Sequence, residues 1–502
     1  MSDTSQHVTY EAFGAAGDGV TDDLPAILAA HDHANERGLP VRSRADATYH
    51  LGRRALTVDV CTTTDWGTSR FTIDDTEVED HKASLFHVRS RLGPDAIRIG
   101  RLSRDQKHVD VRPERDTYVL VANDATRVFI RRGLNQNEGV PRQDCFILHT
   151  DGSIEGSVDW DYDTISRIES SPIDETPLEI RGGIFTTFAN RMQQDVGYNY
   201  WSRNILITRS NTQVDGLTHY VMGETAVGHP YRGFLSMERC ANVTVRNCFV
   251  TGHKIYSTIG AAGLPVNMGS YDVHANSVVN LRLVDCRMNH ICDRTRWGVI
   301  ASNFCKNILL ENCVFSRMDA HMGVSGAYVV RGCTLGHVGL NAIGRGTLTV
   351  EDSVLYGRTF VNLRRDYGST WEGDIVIRNS RWVPACGETC EPYLIGASND
   401  GMHDFGYRCF MPREIVVDGL FVDDSNHPPD YRGMYYFTDP DAQGDETGSL
   451  PPVAERPFAY ELCRTLRVRG VRTASGLEPR LSPNPEIRHT TTVIETDENR
   501  KA

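Results

Sequence analysis

The feature that most constrains this chain is a short motif that keeps returning. A polar or small residue opens it, an alternating apolar stretch follows, and Asn, Asp or Gly then precedes Cys, Ser or Gly. It reads PLEIRGG ending at Gly183, NILITRS at Ser210, NVTVRNC at Cys248, NLRLVDC at Cys286 and NILLENC at Cys313. AYVVRGC at Cys333, TLTVEDS at Ser353 and DIVIRNS at Ser380 continue it, with weaker copies ending at Leu420 and Val471. From Gly183 to Ser380 the intervals are 27, 38, 38, 27, 20, 20 and 27 residues. Each copy has the period-two pattern of a strand with one apolar face. A strand that recurs this way, with no helical pattern between copies, predicts the rungs of an all-β solenoid; the longer intervals are rungs with an extra loop. The closing step predicts a turn residue followed by a small inward side chain. Cys248, Cys286, Cys313 and Cys333 are therefore assigned to the interior, where a free Cys behaves as a small hydrophobe.

Composition narrows the partners. The chain is 40% hydrophobic and 24% charged, which suits a folded protein. A net charge of -13 argues against a nucleic-acid partner, though it leaves room for a local basic groove. No apolar run is long enough to span a bilayer, so no membrane partner is expected. The N-terminus MSDTSQHVTYEAFG lacks the basic and apolar regions of a signal peptide. That predicts a cytoplasmic protein, with a phage particle or a trimmed secreted protein as alternatives. Thirteen cysteines in so long a chain are not a small disulfide scaffold. Cys386 and Cys390 form the one close loop-borne pair, a disulfide or a zinc half-site without a second half. No metal or cofactor is expected.

The N-terminus adds a cap. FGAAGDGVTDD runs into LPAILAAHDHANERG, where Thr21 and Asp22 can cap a helix with apolar positions Leu24, Ile27, Leu28 and Ala34. Strands with Val41 and Tyr49 follow. This cap resembles that of the pectate-lyase-like superfamily of right-handed parallel β-helices, which includes glycoside hydrolases, polysaccharide lyases, sugar epimerases and phage tailspikes. Ser316–His321 and Leu363–Trp371 are similar to stretches of a group of bacterial β-helix proteins with no firm activity. The resemblance implies a poly- or oligosaccharide partner and a homo-oligomer, trimer or dimer. Four regions are expected: a cap over 1–55, early rungs with a β-rich insertion over 56–175, the main β-helix over 176–480 and a frayed polar tail over 481–502. Within the second, residues 100–170 alternate like antiparallel hairpins, with a turn at Asp151-Gly152.

Chemistry is expected on the later rungs. Cys286–Trp371 carries ten Arg/Lys against six Asp/Glu, a local +4 in an acidic protein. Asp272, Asp319 and Asp366 are spaced by 47 residues, and each lies eight residues before the next recurring strand. Equal rungs would stack them on one face. At about 4.8 Å per rung, a two-rung separation is roughly 10 Å, near the roughly 6.5–9.5 Å of an inverting glycosidase. Asp293, one rung away, would instead give the retaining distance of about 5 Å. Asp319 is the first candidate for general acid or nucleophile, with Asp366 or Asp272 as base partner and Arg317 and His321 tuning it. His274, Arg296, Asn341, Arg364 and Arg365 are candidate contacts to hydroxyls or a uronate carboxylate. Trp297, Tyr367 and Trp371 are candidate sugar-stacking rings. The polygalacturonase motifs Asn-Thr-Asp, Gly-His-Gly and Arg-Ile-Lys are not found in order in the core. The expectation is a glycoside hydrolase. The alternatives are a uronate lyase or epimerase with His321 as base, and a non-catalytic carbohydrate-binding or tailspike-like protein.

Overall fold

In the recurring motif the apolar residues of every copy turn toward one shared interior, and the strands stack in parallel ladders. A computed structural model describes residues 7–130, 138–190, 200–225, 228–259, 265–302, 304–398, 405–440 and 461–496. Three ladders make the walls of a right-handed parallel β-helix. The first ladder holds the recurring strands, among them Val279–Val284, Cys305–Glu311, Val324–Arg331 and Gly344–Glu351. The third ladder includes Leu235–Glu238, Val273–Asn276, Val299–Ser302 and Thr359–Leu363. Between them run the short strands of the second ladder, such as Arg287–Met288 and Val354–Leu355.

Register follows from burial. Leu281, Ile308, Tyr328, Leu348 and Ile375 lie level on successive rungs of the first ladder and are all buried. Each such side chain removed from water contributes about 1.5–3 kcal/mol. A slip of one residue would turn the whole column outward. The corner between the first and second ladders is made by Asn247, Asp285, Asn312, Gly332, Asp352 and Asn379, all at positive φ. Asn and Asp tolerate that conformation better than other side chains. A Cβ on Gly332 would also lie 2.5 Å from the Asn312 side-chain oxygen. The next residue points inward, so Cys248, Cys286, Cys313, Cys333, Ser353 and Ser380 line one buried edge. They are linked in part through the backbone: Cys333 N–H donates to Ser353 Oγ at 3.0 Å and Ser353 N–H to Ser380 Oγ at 3.3 Å. At the opposite end of the same strands Asn211, Asn242, Asn280 and Asn307 stack, their amides bonded at 3.0, 2.8 and 3.0 Å.

Four expectations change. The copy ending at Ser210 belongs to the third ladder, where Ile205–Ile207 pairs with Leu235–Met237. The first-ladder strand of that rung is Thr212–Asp215, so the first two intervals are 34 and 31 residues. The helix spans Leu24–Arg37, and Leu24, Ile27, Ala30, His31 and Ala34 close the end of the core, while Leu28 is only partly buried. Thr21 does not cap it; its hydroxyl donates to Asp18, and Asp22 accepts from the Leu24 amide at 3.2 Å. Over residues 481–496 the polar tail forms a further rung rather than frayed chain. Asn484 caps the short helix Pro485–Thr490, buried Ile487 closes the core, and Thr492–Glu495 pairs with Thr465–Val468. Cys390 is a free thiol, whereas the side chain of Cys386 lies outside the described residues.

The alternating stretch after residue 100 forms an antiparallel sheet of Thr117–Val128, Val140–Leu148, Ile154–Glu155 and Arg167–Pro172. Asp151 accepts from the Ser153 amide at 2.8 Å in its turn. This subdomain packs on the first ladder: Tyr118, Cys145 and Ile147 bury against Ala241 and Val279. Fully buried Lys306 of the solenoid is ion-paired to Asp144 and, at 3.1 Å, to Asp159.

Candidate functional site

Side chains on the outward face of the third ladder form a polar column. Ser236, His274, Ile300, Asp319, Asn341 and Asn362 lie level on successive rungs. Alternation dictates this, since their neighbours Ala275, Ala301, Ala320 and Ala342 face the core. Long loops between the second and third ladders, together with the turn after Leu363, cover the column in part. Asp319 is consequently buried although it points outward.

Two guanidiniums hold Asp319. Arg317 approaches its Oδ2 at 2.8 Å and Arg364 at 2.6 Å, and the Tyr271 hydroxyl donates to the same oxygen at 3.2 Å. Oδ1 has no hydrogen-bond partner among the described residues. Burial would raise the pKa of this carboxyl. Arg317, then Arg364, and then His321 outweigh that and hold it below the usual carboxylate range. The second guanidinium edge of Arg364 grips Asp366, with Nη2 at 2.6 Å and Nε at 3.0 Å. Arg317 lies over the Trp297 ring at 4.6 Å. With the Asn341 amide turned so that its oxygen faces Arg317, that oxygen accepts from Nε at 2.8 Å. The outcome is a neutral, cross-braced set of two Arg and two Asp, with Trp297 at its edge and exposed Asn362 one rung beyond Asn341.

This geometry rewrites several roles. The three aspartates do not stack. Asp272 is level with Gly298 and Arg317, two positions from the Asp319 column, and Asp366 lies in the 3-10 turn Arg365–Tyr367, beyond the strand Thr359–Leu363. The equal 47-residue intervals count loops and an irregular pairing between Lys306 and Ile308, whereas register is set by strand pairing. Asp319 and Asp366 are brought together, but Arg364 stands between them where a catalytic pair needs a sugar or water. An ionised Asp319 also has no proton to donate, so it does not fit a general acid. Asp293 is taken up by its own turn, accepting from Thr295 N–H at 2.9 Å and pairing with Arg296 at 3.3 Å. Trp371 and Tyr367 are fully buried core residues and cannot stack on a sugar. Tyr367 bonds His321 Nε2 at 3.2 Å. His274 meets Ser236 at 3.1 Å, and burial, with Arg232 and His321, pushes its pKa down to about 3. Arg365 is exposed.

A second polar cluster lies beneath the loops next to Tyr271. Asp75 pairs with Arg203 at 3.0 Å and accepts from the Tyr231 hydroxyl at 2.8 Å. Tyr231 stacks on His253 at 4.0 Å, and His253 Nδ1 lies 3.1 Å from Glu224. Arg296 reaches Glu224 at 3.8 Å and donates to the Gly252 carbonyl. Asp272 borders this cluster, fully buried, with no hydrogen-bond partner of ordinary geometry on either oxygen among the described residues. Burial raises its pKa to about 7, offset in part by His253 and Arg296 and reinforced by Glu224. Sequence reasoning missed Tyr271, next to Asp272, and Asn362, two residues before Arg364. Glu224 and His253 lie in irregular stretches and carried no signal.

Stacked rungs, a helical cap and a polar outward column define a right-handed parallel β-helix. No protein-family model and no curated protein matches the chain in sequence. In structure it is similar to the tailspike gp49 of Pseudomonas phage LKA1, at 12% identity and TM-score 0.52, covering 97% of this chain and 84% of that one. It is also similar to the gp54 tailspike of Acinetobacter baumannii bacteriophage AP22, solved with capsular saccharide, at 10% identity and TM-score 0.48, covering 97% and 79%. At 12% identity the likeness to gp49 speaks for the fold alone. Among the described residues no helix is long and apolar enough to cross a membrane.

Proposed function

We propose that the chain is a polysaccharide-binding β-helix whose contact surface is the outward face of the third ladder around Trp297, Arg364 and Asn362. The observation that carries this reading is the bracing of Asp319 and Asp366 by Arg364. It removes the carboxylate pair from acid–base work and fixes guanidinium and amide groups in a rigid plane beside an indole. Such a surface suits hydroxyl recognition, because its donors lose little freedom on binding. A tailspike supplies the precedent for the fold. The reading goes with a secreted or particle-borne protein rather than the cytoplasmic one suggested by the N-terminus. The test is retention of acidic and neutral polysaccharides on immobilised protein. Loss of retention in Trp297→Ala and Asn362→Ala is expected; no retention by the wild type, or none lost in both variants, would sink the idea.

One observation favours a second, enzymatic reading. Asp272 keeps its proton to about pH 7, the property a general acid needs. Product assays for new reducing ends or ultraviolet-absorbing unsaturated ends separate hydrolase from lyase. Activity that survives Asp272→Asn would remove Asp272 from either.

A further inference from the structure

A cleft of about 270 Å³ opens between the antiparallel subdomain and the corner where the third ladder passes into the first. It lies across an aromatic wall from the column described above. Phe129 packs edge-on against Tyr367 at 5.5 Å and meets Tyr407 at 5.1 Å. The Tyr367 side faces Arg364 and His321, while Tyr407 and Phe129 line the cleft. Its rim carries Trp160 and Tyr407, with ring centroids 6.1 Å apart. Four arginines and two carboxylates line it, a balance of two positive charges.

Three of the arginines are matched. Arg104 pairs with Glu372, Arg345 with Asp159 at 3.3 Å and Asp105 at 2.9 Å, and Arg408 with Glu461 at 2.7 Å. Arg142 has no carboxylate partner among the described residues; its guanidinium lies over Trp160 at 5.4 Å and donates weakly to the Asp161 carbonyl. Three N–H groups of lining residues, Arg142 Nε, Arg104 Nε and Trp160 Nε1, are buried without an acceptor among the described residues. Donors buried without an acceptor are unfavourable, which marks the polar lining of the cleft as under-satisfied.

From this arrangement we infer that the cleft is a subsite for one acidic sugar residue, a hexuronate unit whose carboxylate meets Arg142 and whose ring lies against Trp160 and Tyr407. The Asp159 and Glu372 carboxylate oxygens accept from its hydroxyls. A ligand with an apolar ring face, several hydroxyls and one negative charge matches all three properties of the lining. The cavity is slightly below the range of roughly 300–1,000 Å³ usual for small-molecule pockets, which suits a single residue better than an oligomer. The choice of a sugar rests on the polysaccharide reading of the third ladder, but the cleft uses none of that surface.

The test is titration of the full chain with methyl glucuronide, methyl glucoside and malonate, followed by calorimetry and by tryptophan fluorescence. The glucuronide is expected to bind saturably, at least about tenfold more tightly than the glucoside. Arg142→Gln should erase that preference, Trp160→Ala should weaken both sugars, and Trp297→Ala should change neither. The inference is overturned by no saturable glucuronide binding up to roughly 10 mM, by equal binding of malonate, or by a preference that survives Arg142→Gln. Loss of polymer retention in Trp297→Ala with glucuronide binding intact would uphold both sites. No polymer retention by the wild type, with glucuronide binding that is lost in Arg142→Gln, would uphold the cleft alone.

Discussion

Asp319 and Asp272 lie in neighbouring pockets beneath the same loops, both fully buried, yet they end in opposite states. Asp319 touches two guanidiniums and a phenol and is ionised. Among the described residues Asp272 has no hydrogen-bond partner of ordinary geometry, and burial raises its pKa to about 7. Burial penalises the charged form of both alike; partners decide which side wins. The difference separates a scaffold from a candidate acid, and it shows why a carboxylate's position in sequence cannot assign its role.

The same substitution should therefore act with opposite sign at the two sites. Asp319→Asn leaves two guanidiniums short of a counter-charge and should cost about 3–5 kcal/mol at pH 7 in chemical denaturation. The folded pKa of Asp319 is depressed, so its contribution is fully present above the unfolded value near ~3.9 and is lost as pH falls through the folded pKa. A variant as stable as the wild type at pH 7 would break the comparison. Asp272→Asn should instead stabilise by roughly 2–4 kcal/mol above pH 7 and change little near pH 4. There the folded pKa is raised, so wild-type stability declines as pH rises from ~4 to about 7 and is flat beyond. A flat difference between variant and wild type across this window would mean that Asp272 ionises normally.

Smaller effects sharpen the picture. Trp297→Ala should weaken polysaccharide retention by about tenfold, the scale of one lost stacking contact with its braced arginine. Thermal unfolding should move little, because the indole is only half-buried. Cys333→Ser should change stability by no more than about 1 kcal/mol, since Ser353 and Ser380 already occupy the same edge. A larger loss would show that the thiol's size matters where its position in the stack does not.

The fold was legible because it repeats. Period-two strands, Asn/Asp turns and the small residues after them each occur several times, so one misplaced copy, the stretch ending at Ser210, could not obscure the rest. The antiparallel subdomain was legible through alternation and the Asp151-Gly152 turn. The site was less so. Asp319, Arg317, Arg364 and Asp366 were all singled out from sequence, but their relation was not, because Arg364 reaches Asp319 across 45 residues and two strand registers. Trp371 was misjudged because an aromatic after a turn looks the same whether its strand begins facing in or out.

By itself the sequence determined the solenoid, its interior edge of cysteines and serines, its capped beginning and the basic stretch on its later rungs. These follow from local periodicity and from turn residues that tolerate positive φ, both readable one rung at a time. Tertiary structure alone decided which carboxylate keeps a charge, which rings are buried, and where a cleft opens between subdomain and solenoid. Ionisation and access depend on what neighbouring rungs and loops place within a few ångströms, and loop lengths that vary between rungs hide those neighbours from any count along the chain.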